Sequence, residues 1–419
     1  MEKTEFKVYG YRWIMLAVYM FIVAMNQLLW ITFAPITSEA VRYYGVSELW
    51  IGILSMSFMV VFIVFSIPAS WIIDTYGIRI GVGIGAFLTG VFGLMRGFAG
   101  TNFQILMIAQ IGIAIGQPFL LNAITKLSAR WFPITERATA SGLGTLAMYV
   151  GILAGMLFTP FLTLSSGMDG MLYFYGILSV VAAAIFILLA KEGPLTAPCL
   201  PGQEERALVL DGFKIIFRSK DFLWLMLIFF IGLGVFNSVT TWIEAILNPR
   251  NISVTQAGIV GGVMIAAGIA GAMAIPFLSD RYQKRVPFIQ LALVGATLGL
   301  IGISYSTNYY LILLSGGVLG FFLLSSGPIG FQYGAEITYP ASEGSSNGLL
   351  LMMGQISGIA FIFGMDIFKS KTDGSMSNPL MVLIGLMILS LIVSVRLKES
   401  ALIKKTGIEE IEDSVVLVD

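Results

Sequence analysis

Twelve stretches of about twenty or more largely apolar residues, each long enough to cross a bilayer as a helix, run along the chain with short polar breaks between them. They fall at 13–43, 50–73, 80–98, 103–127, 137–163 and 171–190, and again at 222–247, 255–278, 287–305, 309–333, 344–368 and 379–397. We number them spans 1 to 12. Span 1 is longer than a bilayer requires and is expected to continue past it on the outer side. The one long polar interruption is 191–221, where Pro194, Pro198, Pro201 and Gly202 stop any helix in the first half. From Leu208 to Lys220 apolar pairs alternate with basic residues, as in a short helix lying on a membrane surface. Residues 1–190 are thus expected to form one six-helix bundle and 222–397 a second, with a cytoplasmic linker at 191–221 and a cytoplasmic tail at 398–419.

Composition agrees with that pattern. Charged residues make up 11% of the chain, against roughly a quarter in a soluble domain, and mean hydropathy is +0.89. The single cysteine, Cys199, excludes a disulfide framework and a thiolate metal site, and the lack of histidine excludes imidazole ligands and histidine proton relays. No cofactor and no metal are expected. A formal net charge of +0 gives no reason to expect a nucleic acid partner. There is no phosphate-cradling loop, no metal spacing and no nucleophile with a histidine base, so the chain does not read as an enzyme. No small-residue cleavage site follows a short apolar core at the start, so span 1 reads as a retained anchor.

Basic residues set the orientation. With both ends and the linker in the cytoplasm, nineteen of the 24 Lys and Arg residues lie inside, leaving Arg42, Arg96, Arg250, Lys369 and Lys371 outside. The expected location is the plasma membrane, with the lipid bilayer as surroundings and the protein as a monomer.

The two bundles repeat each other. Pro68 and Asp74 near the end of span 2 correspond to Pro276 and Asp280 near the end of span 8; Pro133 and Glu136 entering span 5 correspond to Pro340 and Glu343 entering span 11. The offsets stay between 206 and 208, the trace of a duplicated six-helix unit. Parallel repeats around a linker resemble the organisation of major facilitator transporters, so the expected fold is all-α: twelve transmembrane helices as two pseudo-symmetric bundles. Span 2 ends in SWIIDTYGIR, residues 70–79, which is similar to the major facilitator loop GxxxDxxGR[RK]. An acid there can sit against the positive N-terminus of a helix from the other half and hold the cytoplasmic side shut. Asp74 and Arg79 would then face the start of span 11 near Ser342, and Asp280 and Arg281 the start of span 5 at Glu136 and Arg137. The alternative is an ordinary capped loop whose charges fix topology. Gly151 and Gly155 of span 5 form a small-residue pair that lets helices approach closely, expected across the interface between halves.

Polar side chains inside the spans should face the bundle interior or a cavity. These are Asn26, Gln27 and Trp30 in span 1; Gln110, Gln117 and Asn122 in span 4; Asn237 and Glu244 in span 7; and Gln355 in span 11. At ~1.5 Å per residue, Trp30, Gln117, Asn237 and Gln355 lie roughly 15–25 Å into their spans, as a site at the interface of two repeats requires. Each amide can equally serve only to bond neighbouring helices. Glu244 can bind a cation, carry a proton, or be an exposed helix-end acid beside Asn248 and Pro249. Arg96 and Asp366, near outer loops, are expected to be solvated. Asn251-Ile252-Ser253 matches a glycosylation sequon, a short and unspecific pattern.

The junction GFQYGAEITYPASEGSSNG at 330–348, running on to Gln355, resembles that of the feline leukaemia virus subgroup C receptor family, solute carrier family forty-nine. Tyr44-Gly45-Val46 and Leu54-Ser55-Met56-Ser57-Phe58-Met59-Val60-Val61 resemble the same family. The resemblance implies a transporter of choline or ethanolamine that needs no driving ion. It implies an aromatic cage for the ammonium group, with Trp30, Met59, Gln117 and Gln355 at family positions. The family's span 7 tyrosine is replaced by Asn237, and Glu244 stands where the family has a neutral residue. The expected function is alternating-access uniport of a small organic solute of this kind. Proton-coupled transport of another metabolite through Glu244, or a receptor that keeps the fold without transporting, are the alternatives.

Overall fold

A computed structural model of the protein describes residues 8–194, 196, 216–339, 341, 343–370, 372 and 374–400. The surface helix expected at 208–220 lies largely outside the described residues, as do Pro340, Ser342, Lys371 and the tail beyond residue 400. All regular structure among the described residues is helical. In lipid the backbone has no water to bond, so each crossing segment must satisfy its own N–H and C=O groups, and a helix does so.

Among the described residues, eleven helices are long and apolar enough to span a membrane. The longest, Thr139–Leu189, holds two spans and folds back at Gly167, whose φ of 74° lies in the region that glycine tolerates. Together these account for the twelve expected spans. Three spans break where one helix was expected. Span 1 is a helix over Tyr11–Ile31, a short turn Ala34–Ile36 containing Pro35, and a second helix Thr37–Tyr44. Span 4 is Phe103–Leu121 followed by Ile124–Trp131, with Pro118 in its last turn. Span 7 is Lys220–Thr241 followed by Ile243–Leu247. Proline explains the first two, since it lacks the N–H that would continue the ladder.

The chain divides into two compact units. The first is 1–206 together with 241–248 and 253–262; the second is 207–240, 249–252 and 263–419. The far end of span 7 and the start of span 8 thus belong to the first unit, with the N-terminal helices. Large apolar side chains such as Val64, Ile67, Leu188, Leu298 and Leu314 are exposed, as lipid-facing surfaces require. Exposed Trp50, Trp71 and Tyr76 lie at span ends in the first unit, and exposed Tyr282, Tyr305, Tyr310 and Tyr339 at span ends in the second, where aromatic rings suit a membrane boundary.

Each unit closes its helix ends with the same devices. The Glu192 carboxylate, just after span 6, accepts the backbone N–H groups of Ile78 and Arg79 at 3.1 and 2.9 Å, capping span 3. Glu399, just after span 12, accepts those of Arg285 and Val286 at 2.9–3.1 Å, capping span 9. Asn102 and Asn308 likewise cap spans 4 and 10, each accepting from the second and third residues after it. Every pair is related by an offset of 206 or 207, so the duplication is present in hydrogen bonds as well as in residue types. Gly77 permits the first cap: its φ is 91°, and a Cβ there would lie 2.3 Å from the Glu192 carboxylate. Its counterpart Gln283 holds a φ of 49° with a side chain present.

The Gly151 and Gly155 pair packs on span 1 inside the first unit. A Cβ on Gly151 would sit 2.1 Å from the Ala24 carbonyl oxygen, and one on Gly155 would strike Ile31. The next residues, Met156 and Leu157, meet Gly258, Gly261 and Gly262 of span 8.

Replacing either cap, Glu192→Ala or Glu399→Ala, should cost about 1–2 kcal/mol and lower Tm by about 2–4 °C. The double variant should lose the sum, because the caps share no partner. Thermal unfolding in detergent checks this; an unchanged Tm in either variant would remove the capping role.

Candidate functional site

In the first unit most polar side chains of spans 1 to 4 are hydrogen-bonded between spans, in separate small groups. The Trp30 indole, 6% exposed, donates its Nε1–H to the Ser55 carbonyl at 3.2 Å. Asn26 donates to the Thr89 hydroxyl at 3.1 Å and to the Ile113 carbonyl at 3.3 Å, and Gln27 donates to the Asn26 carbonyl oxygen at 3.3 Å. Asn122 donates to the Ser66 carbonyl and hydroxyl and to the Ser70 hydroxyl at 3.0–3.1 Å, tying the break in span 4 to span 2. Met59 is buried. Gln117 differs from the rest. It is 6% exposed, and its amide makes no hydrogen bond among the described residues.

In the second unit Asn237 donates to the Gly354 carbonyl at 3.1 Å, and the neighbouring Gln355 is half-buried with no hydrogen bond among the described residues. A groove of about 370 Å³ on spans 3 and 6, lined by Arg79, Gly83, Phe87 and Ile187 among others, includes none of the expected substrate residues.

One charged residue is placed differently from expectation, and for another the structure removes one of the alternatives. Arg96 is not solvated: it is 1% exposed, and its guanidinium donates to the Leu29 carbonyl, the Gln110 amide oxygen and the Thr32 hydroxyl at 2.8–3.1 Å. Glu244 is no exposed helix-end acid either. It is 1% exposed, on the short helix beyond the break in span 7. Its carboxylate accepts the Ser38 backbone N–H at 3.0 Å, the Ser38 hydroxyl at 2.7 Å and the Asn248 amide at 2.9 Å. It thereby caps the helix Thr37–Tyr44, where a carboxylate meets the positive end of the helix dipole. Trp242, at the break, packs against Gly52, where a Cβ would lie 2.7 Å from the ring.

The sequence pattern of the Major Facilitator Superfamily matches residues 16–362, most of the chain. The chain belongs to that superfamily. Among curated relatives, Solute carrier family 49 member A3 of Danio rerio is 29% identical over 89% of this chain and 82% of its own length. The Choline/ethanolamine transporter FLVCR1 of Felis catus is 29% identical over 87% of this chain and 68% of its own. These are members of the family that the sequence resembles, and they are transporters, not enzymes. The fold matches a bacterial homologue of the human lysosomal transporter Spinster, solved inward-facing and unoccupied, with a TM-score of 0.72 over 93% of this chain and 96% of that one at 15% identity. This chain is a multi-pass membrane transporter of the major facilitator type.

The superfamily loop residues find partners within their own unit. Asp74 pairs with Lys126 at 3.2 Å, and Lys126 also donates to the Ile73 carbonyl at 2.7 Å. Glu136 accepts two hydrogen bonds from Arg12 at 3.0 and 3.2 Å. Arg137 donates to the carbonyls of Phe132 and Ala129 at 3.3 and 3.0 Å. Asp280 pairs with Arg285, which also holds Glu336 at 3.2 Å, while Arg281 and Arg79 are exposed. Choosing Arg281 as the loop arginine missed the repeat: the offset of 206 that carries Asp74 to Asp280 carries Arg79 to Arg285. The same comparison would have found both caps, since Lys191-Glu192 recurs as Lys398-Glu399.

A double-mutant cycle of Ser38→Ala with Glu244→Gln, read by denaturation in detergent, should give a coupling of about 1.5 kcal/mol or more, as a hydrogen bond to a charged group does. A coupling near zero would mean that Glu244 does not cap this helix.

Proposed function

We propose that this transporter carries a small organic solute with an ammonium group, of the choline or ethanolamine kind, across the plasma membrane by alternating access as a uniporter. In the first unit Trp30, Met59, Gln117 and Gln27 are the residues assigned to the solute, and in the second unit the resemblance adds Gln355 and Asn237.

The observation that carries this reading is Gln117. A buried amide without a protein partner forfeits about 1–3 kcal/mol unless a ligand or water completes it. Asn26, Gln27 and Trp30 are each bonded within the protein, whereas Gln117 makes no hydrogen bond among the described residues, which leaves its amide for a solute. Trp30 complements it. With its N–H committed to Ser55, the ring face remains for recognition, and a tryptophan face attracts a desolvated cation by about 2 kcal/mol. Two relatives named as choline/ethanolamine transporters support the amine class.

The span 7 residue refines the choice. Asn237 offers no ring face; one N–H of its amide is bound to Gly354, which leaves its other N–H and an amide oxygen that can accept. Amide oxygens accept N–H donors; a primary ammonium has three and a quaternary ammonium none. A primary amine such as ethanolamine is therefore favoured over choline. Uniport follows from the helices Tyr11–Ile31 and Phe103–Leu121, which contain no acid, and from a chain without histidine. Proton coupling would fall to Glu244, whose three hydrogen bonds describe a cap. Inner-side closure would require Asp74, Glu136 and Asp280 to exchange their present partners.

Purified protein in liposomes should bind and take up both amines, ethanolamine more tightly, without substrate-dependent acidification. Trp30→Ala should weaken binding by about 30-fold, the equivalent of ~2 kcal/mol. Indifference of both amines to that change would overturn the site, and acidification abolished by Glu244→Gln would overturn uniport.

A further inference from the structure

Arg96 is a full charge in the interior of a membrane protein, and no carboxylate among the described residues bonds it. Burying a guanidinium in that way is expensive, so intramembrane charges are rare and mark function. Its partners are all neutral oxygens, plus the Phe33 ring at 5.2 Å from its Cζ.

Those partners surround one residue. Arg96 Nη1 donates to the carbonyl of Leu29, the residue before Trp30, and Nη2 donates to the hydroxyl of Thr32, two residues after it. Thr32 in turn donates to the Leu28 carbonyl at 2.8 Å. These groups lie in the last turn of the helix Tyr11–Ile31, where the ladder ends and carbonyls need other donors. The second path runs through Gln110. Arg96 holds its amide oxygen at 2.8 Å, which aims the NH₂ at the Leu54 carbonyl at 3.4 Å and at Leu29 at 3.5 Å. The carbonyl next to Leu54 is Ser55, the acceptor of the Trp30 indole. One guanidinium therefore fixes both the backbone that carries the indole and the strip of span 2 that receives its N–H.

The geometry points to Arg96 as the positioning residue for Trp30, acting through Gln110 and Thr32 and never touching the solute. This rests on Trp30 being a wall of the substrate site. Only arginine supplies donors in a planar fork wide enough to reach three acceptors on two other helices; lysine would reach fewer, from a single point. A helix-tethering role alone would leave the indole indifferent to which bond is cut, whereas this network converges on it.

The test is ¹⁹F NMR of full-length protein carrying 5-fluorotryptophan, with the Trp30 signal identified by its loss in Trp30→Phe. In Arg96→Met, Arg96→Lys and Gln110→Leu that signal should shift or broaden. Affinity for ethanolamine and choline should fall about tenfold or more, as for one lost hydrogen bond to a charged group. Glu192→Ala, a destabilising change elsewhere in the same unit, should leave the Trp30 signal in place. Should Arg96→Met not fold, Gln110→Leu and Thr32→Val each cut one arm of the network and carry the test. A folded variant of Arg96 or Gln110 with an unmoved Trp30 signal overturns the proposal. A wild-type Trp30 signal that neither amine perturbs overturns the substrate reading instead, and leaves the effect of Arg96 on the indole separately visible.

Discussion

A bilayer interior offers no hydrogen bonds, and the rest of this structure follows from that single fact. Every peptide group inside must bond another protein group, which makes the chain helical wherever it crosses. Helix ends leave backbone groups unpaired, and a side chain is one way to finish them. Glu192, Glu399, Asn102, Asn308 and Glu244 finish five of them, and Arg96 serves the end of a sixth. Other buried atoms also lack a hydrogen-bond partner among the described residues, Tyr44 Oη and Arg96 Nε among them, so Gln117 is singled out by holding a family position together with Trp30 and not by its unmade bond alone.

The same constraint separates structural polar residues from candidate functional ones. Asn26, Gln110 and Asn122 are all amides in apolar helices, and each bonds to groups on neighbouring spans. Glu244 looks from its type like a proton carrier or a cation site, yet its hydrogen bonds are those of a helix cap. Residue type alone does not distinguish these roles. The distinction lies in what each atom bonds.

This explains what could be read from the sequence. The spans and their number were legible because apolar length is a property of consecutive residues. The duplication was legible because Pro68 and Asp74 recur as Pro276 and Asp280 at offsets of 208 and 206. The breaks in spans 1, 4 and 7 are not marked by apolar length, which runs through them, although Pro35 and Pro118 stand near two of them. Arg96 was misplaced for a related reason. It lies two residues from the end of span 3 in a sequence that suggests an outer loop, and only the fold brings Leu29, Thr32 and Gln110 around it. The caps were legible in principle, because Glu192 and Glu399 share the repeat's offset, but a glutamate in a polar stretch is unremarkable until its target helix is known.

The proposed function depends most directly on Gln117 being reached by water and covered by the transported solute. Cys199 is the single cysteine, so its replacement by serine leaves a background for one reporter thiol. A Gln117→Cys thiol in that background should react with a small charged methanethiosulfonate reagent in native membranes, and millimolar ethanolamine should slow the reaction. A thiol at 117 that resists the reagent, or that reacts at a rate the amine leaves unchanged, would contradict the account.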